Sequence, residues 1–352
     1  MADYGYLNAR IRAMKSRLFT PQFLEGLLRA ADTSEVTAAL AHTHYRVDLE
    51  RGMVRYPGLL GIEEGLRYHV LSSFRKVKEL AESEPQAYQL LKVLFSRWDI
   101  HNLKTILRGK HAAASDREIQ EQLIPIGELD EAHLTELVRQ INIKGCLDLL
   151  AMWGLPYARP LTEGYPHYLK TRRLTELELR LDKFYYQYAQ EQVKGWGMNA
   201  DLVRELLRRE VDVTNLVTLI RLMTEDVPRE KIPEYFLPGG KILTVEQLVA
   251  LAELEEVEEI VEALKKTPYA GPLREGLKQY LKTGSLAVVE RRMEEFNIQQ
   301  IVRLFRADPL SAALMVAYIW AKFNEMVNLR IILRGKAVGM PEEAIREALV
   351  IV

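Results

Sequence analysis

Three stretches of the chain carry an acid, an amide and an arginine in one order. The acid falls at Asp99, Asp212 and Glu325, the amide at Asn102, Asn215 and Asn328, and the arginine at Arg108, Arg221 and Arg334. Every step from one copy to the next has the same length, a little under a third of the chain. On a helix the acid and the amide, three apart, are neighbours on one face. Such groups serve chemistry of two kinds. They can build a polar network that fixes packing, with each arginine in a last helical turn complementing the dipole and capping carbonyls. Alternatively, three arginines related by pseudo-threefold symmetry line a central opening and touch a partner. Catalysis fits poorly, because three copies of one constellation without a nucleophile or metal-ligand set have the character of a repeated scaffold.

Other chemistry finds little support. Gly239-Gly240-Lys241 is followed by Ile242 and lacks the upstream glycine of a phosphate-binding loop, so it reads as a turn. His42 and His44 have no acidic or cysteine partners at metal-ligand spacing and read as a solvated or packed pair. Cys146 is the single cysteine, which excludes an internal disulfide and a cysteine-based zinc site. Its place corresponds to Val36 and Ile260 in the other copies, as suits a small core residue. The run Glu253 to Glu262 is an acidic helix surface, either solvated or docked to a basic partner. No catalytic, cofactor or metal residue is assigned. Forty-eight Lys and Arg against 49 Asp and Glu leave a net charge of -1, which argues against a dedicated nucleic-acid binder. The basic N-terminal stretch has no following apolar segment of a signal peptide. The longest mostly apolar run, Leu310 to Ala321, is too short to span a bilayer. The expected location is the cytosol, or a membrane reached through a partner.

The elements that position the triplets repeat with them. Apolar residues from Leu90 to Leu107 follow a helical period, which predicts a helix from Pro85 to Arg108 with Gly109 as its stop. Its counterparts begin near Asn199, a good N-cap, and near Pro309, the latter ending at Gly335; each is about 24 residues long. Short helices follow, opened by a Ser115–Glu118 capping box and by Pro228 and Pro341. Thr20, Asp130 and Thr244 open similar amphipathic stretches, Tyr45 and Tyr269 close two of them, and Phe74, Phe184 and Phe296 mark another element. The chain reads as all-α, with three similar helical domains at 1–123, 124–236 and 237–352. Three equivalent units can close as a pseudo-threefold ring or funnel; an open solenoid is the alternative, although solenoid repeats are usually far shorter.

The stretches Tyr6–Met14, Asp99–Lys110 and Asn328–Lys336 resemble the C subunit of the archaeal and bacterial V/A-type ATPases and ATP synthases, whose eukaryotic relative is the d subunit of the V-ATPase. The resemblance covers nearly the whole chain. The second copy departs from it, with Arg221-Leu222-Met223 where the others have Arg-Gly-Lys. What the resemblance implies is a funnel of three helical domains and a non-catalytic rotor subunit of the central stalk. Its partners would be central-stalk subunits D and F, the membrane proteolipid ring and the membrane stator subunit. It would carry torque for ATP-coupled ion transport, cytoplasmic and peripheral to the membrane, without cofactor or nucleic acid. A generic helical-repeat scaffold for other cytosolic proteins is the competing expectation.

Overall fold

The computed structural model describes residues 4–225 and 227–351, and these contain helices and no strand. After α1 (Gly5–Lys15), one pattern of six elements occurs three times. The first copy comprises α2 (Pro21–Leu28), α3 (Thr33–Ala41), α4 (Arg46–Arg55), α5 (Gly58–Ala81), α6 (Pro85–His111) and α7 (Asp116–Gln120). The second comprises α8 (Glu131–Arg139), α9 (Ile143–Met152), α10 (Ala158–Thr171), α11 (Thr175–Gln192), α12 (Met198–Thr224) and a 3-10 helix, Arg229–Tyr235. The third comprises α13 (Val245–Ala252), α14 (Val257–Ala263), α15 (Ala270–Thr283), α16 (Ala287–Val302) with a 3-10 extension Arg303–Arg306, α17 (Ala313–Ala337) and α18 (Glu342–Ala348).

Local sequence explains these boundaries. Thr20, Asp130 and Thr244 each accept a backbone N–H from three residues ahead and so cap α2, α8 and α13. Ser115 and Glu118 form a reciprocal capping box at α7. Cys146, Val36 and Ile260 occupy one buried position in three copies.

Several expected helix ends are corrected. Gly109 and Gly335 do not stop their helices: α6 runs on to His111 and α17 to Ala337. The chain turns instead at Ala113 and Gly339, which have φ of 54° and 67°. The glycines are needed for another reason. A Cβ on Gly109 would lie 2.4 Å from Ile119, and one on Gly335 would lie 2.6 Å from Ile345, so each glycine lets the short helix seat its isoleucine. The second copy has Leu222 at this place, and there the following element is a 3-10 helix containing Pro233. At the other ends, α12 starts at Met198 after Gly197, whose φ of 83° favours glycine, and Asn199 is not the cap. In the third copy the segment after Pro309 delays the start of α17 to Ala313.

Packing gathers the chain into two compact units, one of Met1–Tyr88 with Glu258–Val352 and one of Gln89–Val257. In the first, α17 packs against α5, α1, α2, α3 and α16. In the second, α11 packs on α10 and α12, and α8 on α7 and α9. The long helix α17 is nearly all buried from Ala313 to Asn328, which accounts for its weak amphipathic pattern.

Candidate functional site: three polar junctions

Each asparagine of the triplets performs one task. Asn102 donates to the carbonyl of Ile124 and accepts from its N–H, both at 2.8 Å. Asn215 does the same with Leu237 at 2.8 and 2.8 Å. Asn328 brackets Val350 at 2.7 and 3.0 Å. The bracketed residue lies 22 positions ahead in all three cases. All three side chains are buried, so donor and acceptor are both matched where water could not replace them.

Each acid holds the segment leading into the next copy. Asp99 accepts the N–H of Glu128 at 2.9 Å and of Leu129 at 3.0 Å, just before the Asp130 cap. Asp212 accepts from Lys241, Ile242 and Leu243 at 3.1, 2.8 and 3.2 Å, just before the Thr244 cap. Glu325 accepts from Phe19 at 2.5 Å, just before the Thr20 cap. The third copy therefore grips the first, as the first grips the second and the second the third.

The acids differ in detail. A Cβ on Gly127 would lie 2.2 Å from the Asp99 carboxylate, and one on Gly240 would lie 2.1 Å from that of Asp212. The two aspartates thus meet a backbone that only glycine brings so close. The third junction has no such glycine before Phe19, and the acid is the longer glutamate. Glu325 also takes 2.7 Å and 2.6 Å bonds from the Tyr45 hydroxyl and the buried Lys322 ammonium. Lys322 lies 4.5 Å from the centre of the Tyr45 ring. Around them Tyr45 contacts the His69 ring, His69 meets Asp48 at 2.7 Å, and His44 packs on Phe19 and Tyr45.

Burial sets the electrostatics. It pushes the Asp99 carboxyl up to about 6, against the opposing pull of its two N–H donors and the Tyr157 hydroxyl. Burial, assisted by the Lys322 charge, holds His44 down at about 4 and is also the main cause lowering His69. Desolvation lowers Lys322 and Glu325 opposes it.

Arg108 and Arg334 turn to side chains rather than cap carbonyls. Arg108 makes a bidentate pair with Glu178 of α11, both bonds at 2.6 Å. Arg334 makes the equivalent pair with Glu63 of α5 at 2.5 and 2.8 Å. Arg221 is exposed in the last turn of α12. Within the second unit, Arg97 donates to Glu210 at 2.7 Å and ties α6 to α12 at positions one repeat apart.

Sequence reasoning missed several of these groups. Tyr157 stands midway between Tyr45 and Tyr269, and all three are buried. Its hydroxyl donates to Asp99 at 3.0 Å, as that of Tyr45 does to Glu325. The even spacing was the available signal. Glu63, Glu178 and Lys322 carried none, because charged residues on helices are common. His42 is exposed and His44 is half-buried among aromatic rings. Gly239-Gly240-Lys241 forms the bend before α13, held by Asp212. Among the described residues no helix is long and apolar enough to cross a membrane.

The polar residues of this helical repeat are spent on joining one copy to the next, the work of a structural scaffold. The chain belongs to the ATP synthase (C/AC39) subunit family, whose profile matches residues 7–348. It is 33% identical over 353 residues to the A-type ATP synthase C subunit of Methanococcoides burtonii, covering 99% of this chain and 95% of that one. It is 30% identical to the same subunit of Methanosarcina mazei, covering 100% and 94% of the two chains. It is 27% identical to that of Methanocaldococcus jannaschii, covering 99% and 87%.

Proposed function

We propose that this chain is the coupling subunit of the rotor in an A-type ATP synthase, linking central-stalk subunits D and F to the membrane proteolipid ring. It carries torque, performs no catalysis, and sits on the cytoplasmic side as a peripheral component, near the membrane stator subunit. The observation that supports this most is the cyclic order of the junctions. Each long helix grips the start of the following copy, and α17 grips the start of the first. A body joined this way suits a pseudo-threefold funnel of three helical domains, 1–123, 124–236 and 237–352, with a shaft in its opening. Stiffness follows from buried, fully matched hydrogen bonds, which resist twist better than exposed charge pairs do. In this reading Asn102, Asn215 and Asn328 are latches, and Arg108 and Arg334 brace the latched helices.

The deciding experiment reconstitutes the complex in vesicles with and without this chain. The catalytic head should still hydrolyse ATP in its absence, while ATP-driven ion pumping stops. Undiminished pumping would defeat the coupling role and favour a general scaffold. An experimental structure of the whole complex tests the architecture, since a funnel requires α6, α12 and α17 to be related by rotations of roughly 120°, as a closed three-unit ring demands.

A further inference from the structure

The junction between copies three and one differs from the other two in the side chains around its tyrosine. Tyr157 has the ring of Phe184 edge to face at 5.8 Å, and Tyr269 has that of Phe296 at 5.8 Å. Tyr45 has His69 against its ring instead, at 3.9 Å. The residue before the tyrosine is a proline in the second and third copies, Pro156 and Pro268, and His44 in the first. Three residues after the tyrosine stand Pro160 and Pro272, against Asp48 in the first copy. The two imidazoles thus stand where the other copies have groups that cannot take a proton.

These groups sit directly on the closing bond. Phe19, whose N–H donates to Glu325, lays its ring 5.3 Å from His44 and 5.4 Å from Tyr45. The two imidazoles are 5.0 Å apart. The buried Nε2 of His44 has no hydrogen-bond partner among the described residues. The charges that face the pair are Lys322 and Glu325 of α17, Arg17 of the α1–α2 connection, and Asp48 of α4, which meets His69. Two carboxylates there already balance two cations. A proton on each ring therefore leaves an excess of positive charge beside a buried ammonium. Once the α1–α2 connection moves off, water reaches both rings and solvates that charge.

We propose that this junction is an acid-release latch: protons taken up by His44 and His69 free Phe19 from Glu325 and loosen the hold of the third copy on the first, while the junction at Asp212 stays shut. Burial keeps both rings neutral in the closed state, and the open state binds their protons more readily, so acid favours opening. Neither α12 nor the segment that Asp212 holds contains a histidine. The latch stands apart from the torque role and is tested on the isolated full-length chain.

The experiment is native-state hydrogen exchange, read at the amides of Phe19 and Leu243 and corrected for the intrinsic pH dependence of exchange. Glu325 holds the first amide and Asp212 the second. Between pH 7.5 and 5 the protection of Phe19 should fall by about fivefold from His44 alone, allowing for solvent screening of its half-buried ring, and further through His69. Leu243 should hold its protection. The double variant His44→Gln/His69→Gln should keep Phe19 protected across the range. If it fails to fold, His44→Gln alone decides, by losing its share of the fall. A fall at Leu243 as large as at Phe19 would overturn the proposal, by showing that the whole fold loosens. An undiminished fall at Phe19 in the histidine variants would overturn it as well, by assigning the acid response to the carboxylates.

Discussion

The junctions around Asp99 and Glu325 solve one mechanical problem with different materials. At Asp99 the approaching segment is covalently continuous with the preceding short helix, arrives through a glycine, and gives the acid two N–H donors, to which Tyr157 at the start of α10 adds its hydroxyl. At Glu325 the approaching segment comes from the other end of the sequence. It offers one N–H, and the carboxylate relies on Tyr45 and Lys322. A junction closed by the chain itself can use neutral donors. One closed between distant segments uses an ion pair, which binds more strongly but is less forgiving when one partner is lost.

The largest effect should come from breaking that pair. Glu325→Gln or Lys322→Met leaves a buried charge uncompensated, at a cost of roughly 3–5 kcal/mol. The double variant should be more stable than the sum of the two losses predicts, as read by denaturant unfolding. A strictly additive result would show that the two charges are independently solvated. Next come the amides. Asn102→Leu, Asn215→Leu and Asn328→Leu each orphan a buried N–H and carbonyl, costing about 1–3 kcal/mol. Near-equal losses at all three would place the asparagines outside the contrast between junctions. An unchanged melting temperature for any one would mean that its bracket contributes nothing. Gly127→Ala should cost about 1–3 kcal/mol by overpacking against Asp99. Ser16→Ala, at the place of Gly240 in the third junction, should be near neutral by the same thermal melt.

The smallest effects concern pH, and the two junctions should move in opposite directions. Asp99 sits at about 6 when folded against an ordinary 3.8, so between these values the native state binds the extra proton. Its contribution to stability therefore grows as pH falls through 6. His44 sits at about 4 against 6.5, so the unfolded state binds the extra proton, and stability is lost as pH falls from 6.5 toward 4. Melting between pH 7.5 and 5 should show Asp99→Asn losing ground to the parent and His44→Gln gaining on it, each by on the order of 1 kcal/mol or less. Parallel curves for both variants would contradict the assigned burial.

Much of this was legible in the residues because repetition magnifies weak signals. A lone asparagine on a helix says little, whereas Asn102, Asn215 and Asn328 in one register mark a shared duty. The helical class followed from periodicity, and the caps at Thr20, Asp130, Thr244 and Ser115 from residue type. Helix ends failed where a glycine had two uses. Gly109 resembles a stop, yet it serves the approach of Ile119, a tertiary fact with no local mark. Partners across space were also hidden. Glu178 lies 70 positions from Arg108, and Glu63 lies 271 from Arg334, so no window along the chain contains both.

The grip of Glu325 on Phe19, across 306 positions, also governs how the molecule is made. The second unit is one continuous stretch and can complete its contacts while later residues are still being added. The first waits: α1, α2, α3 and α5 leave the ribosome with their α17-facing surfaces uncovered, and α17 begins only at Ala313. At ordinary synthesis rates of about 5–20 residues per second that interval is roughly 10–50 seconds. During it an apolar surface awaits its cover, so the newborn N-terminal quarter is a natural client for a holding chaperone.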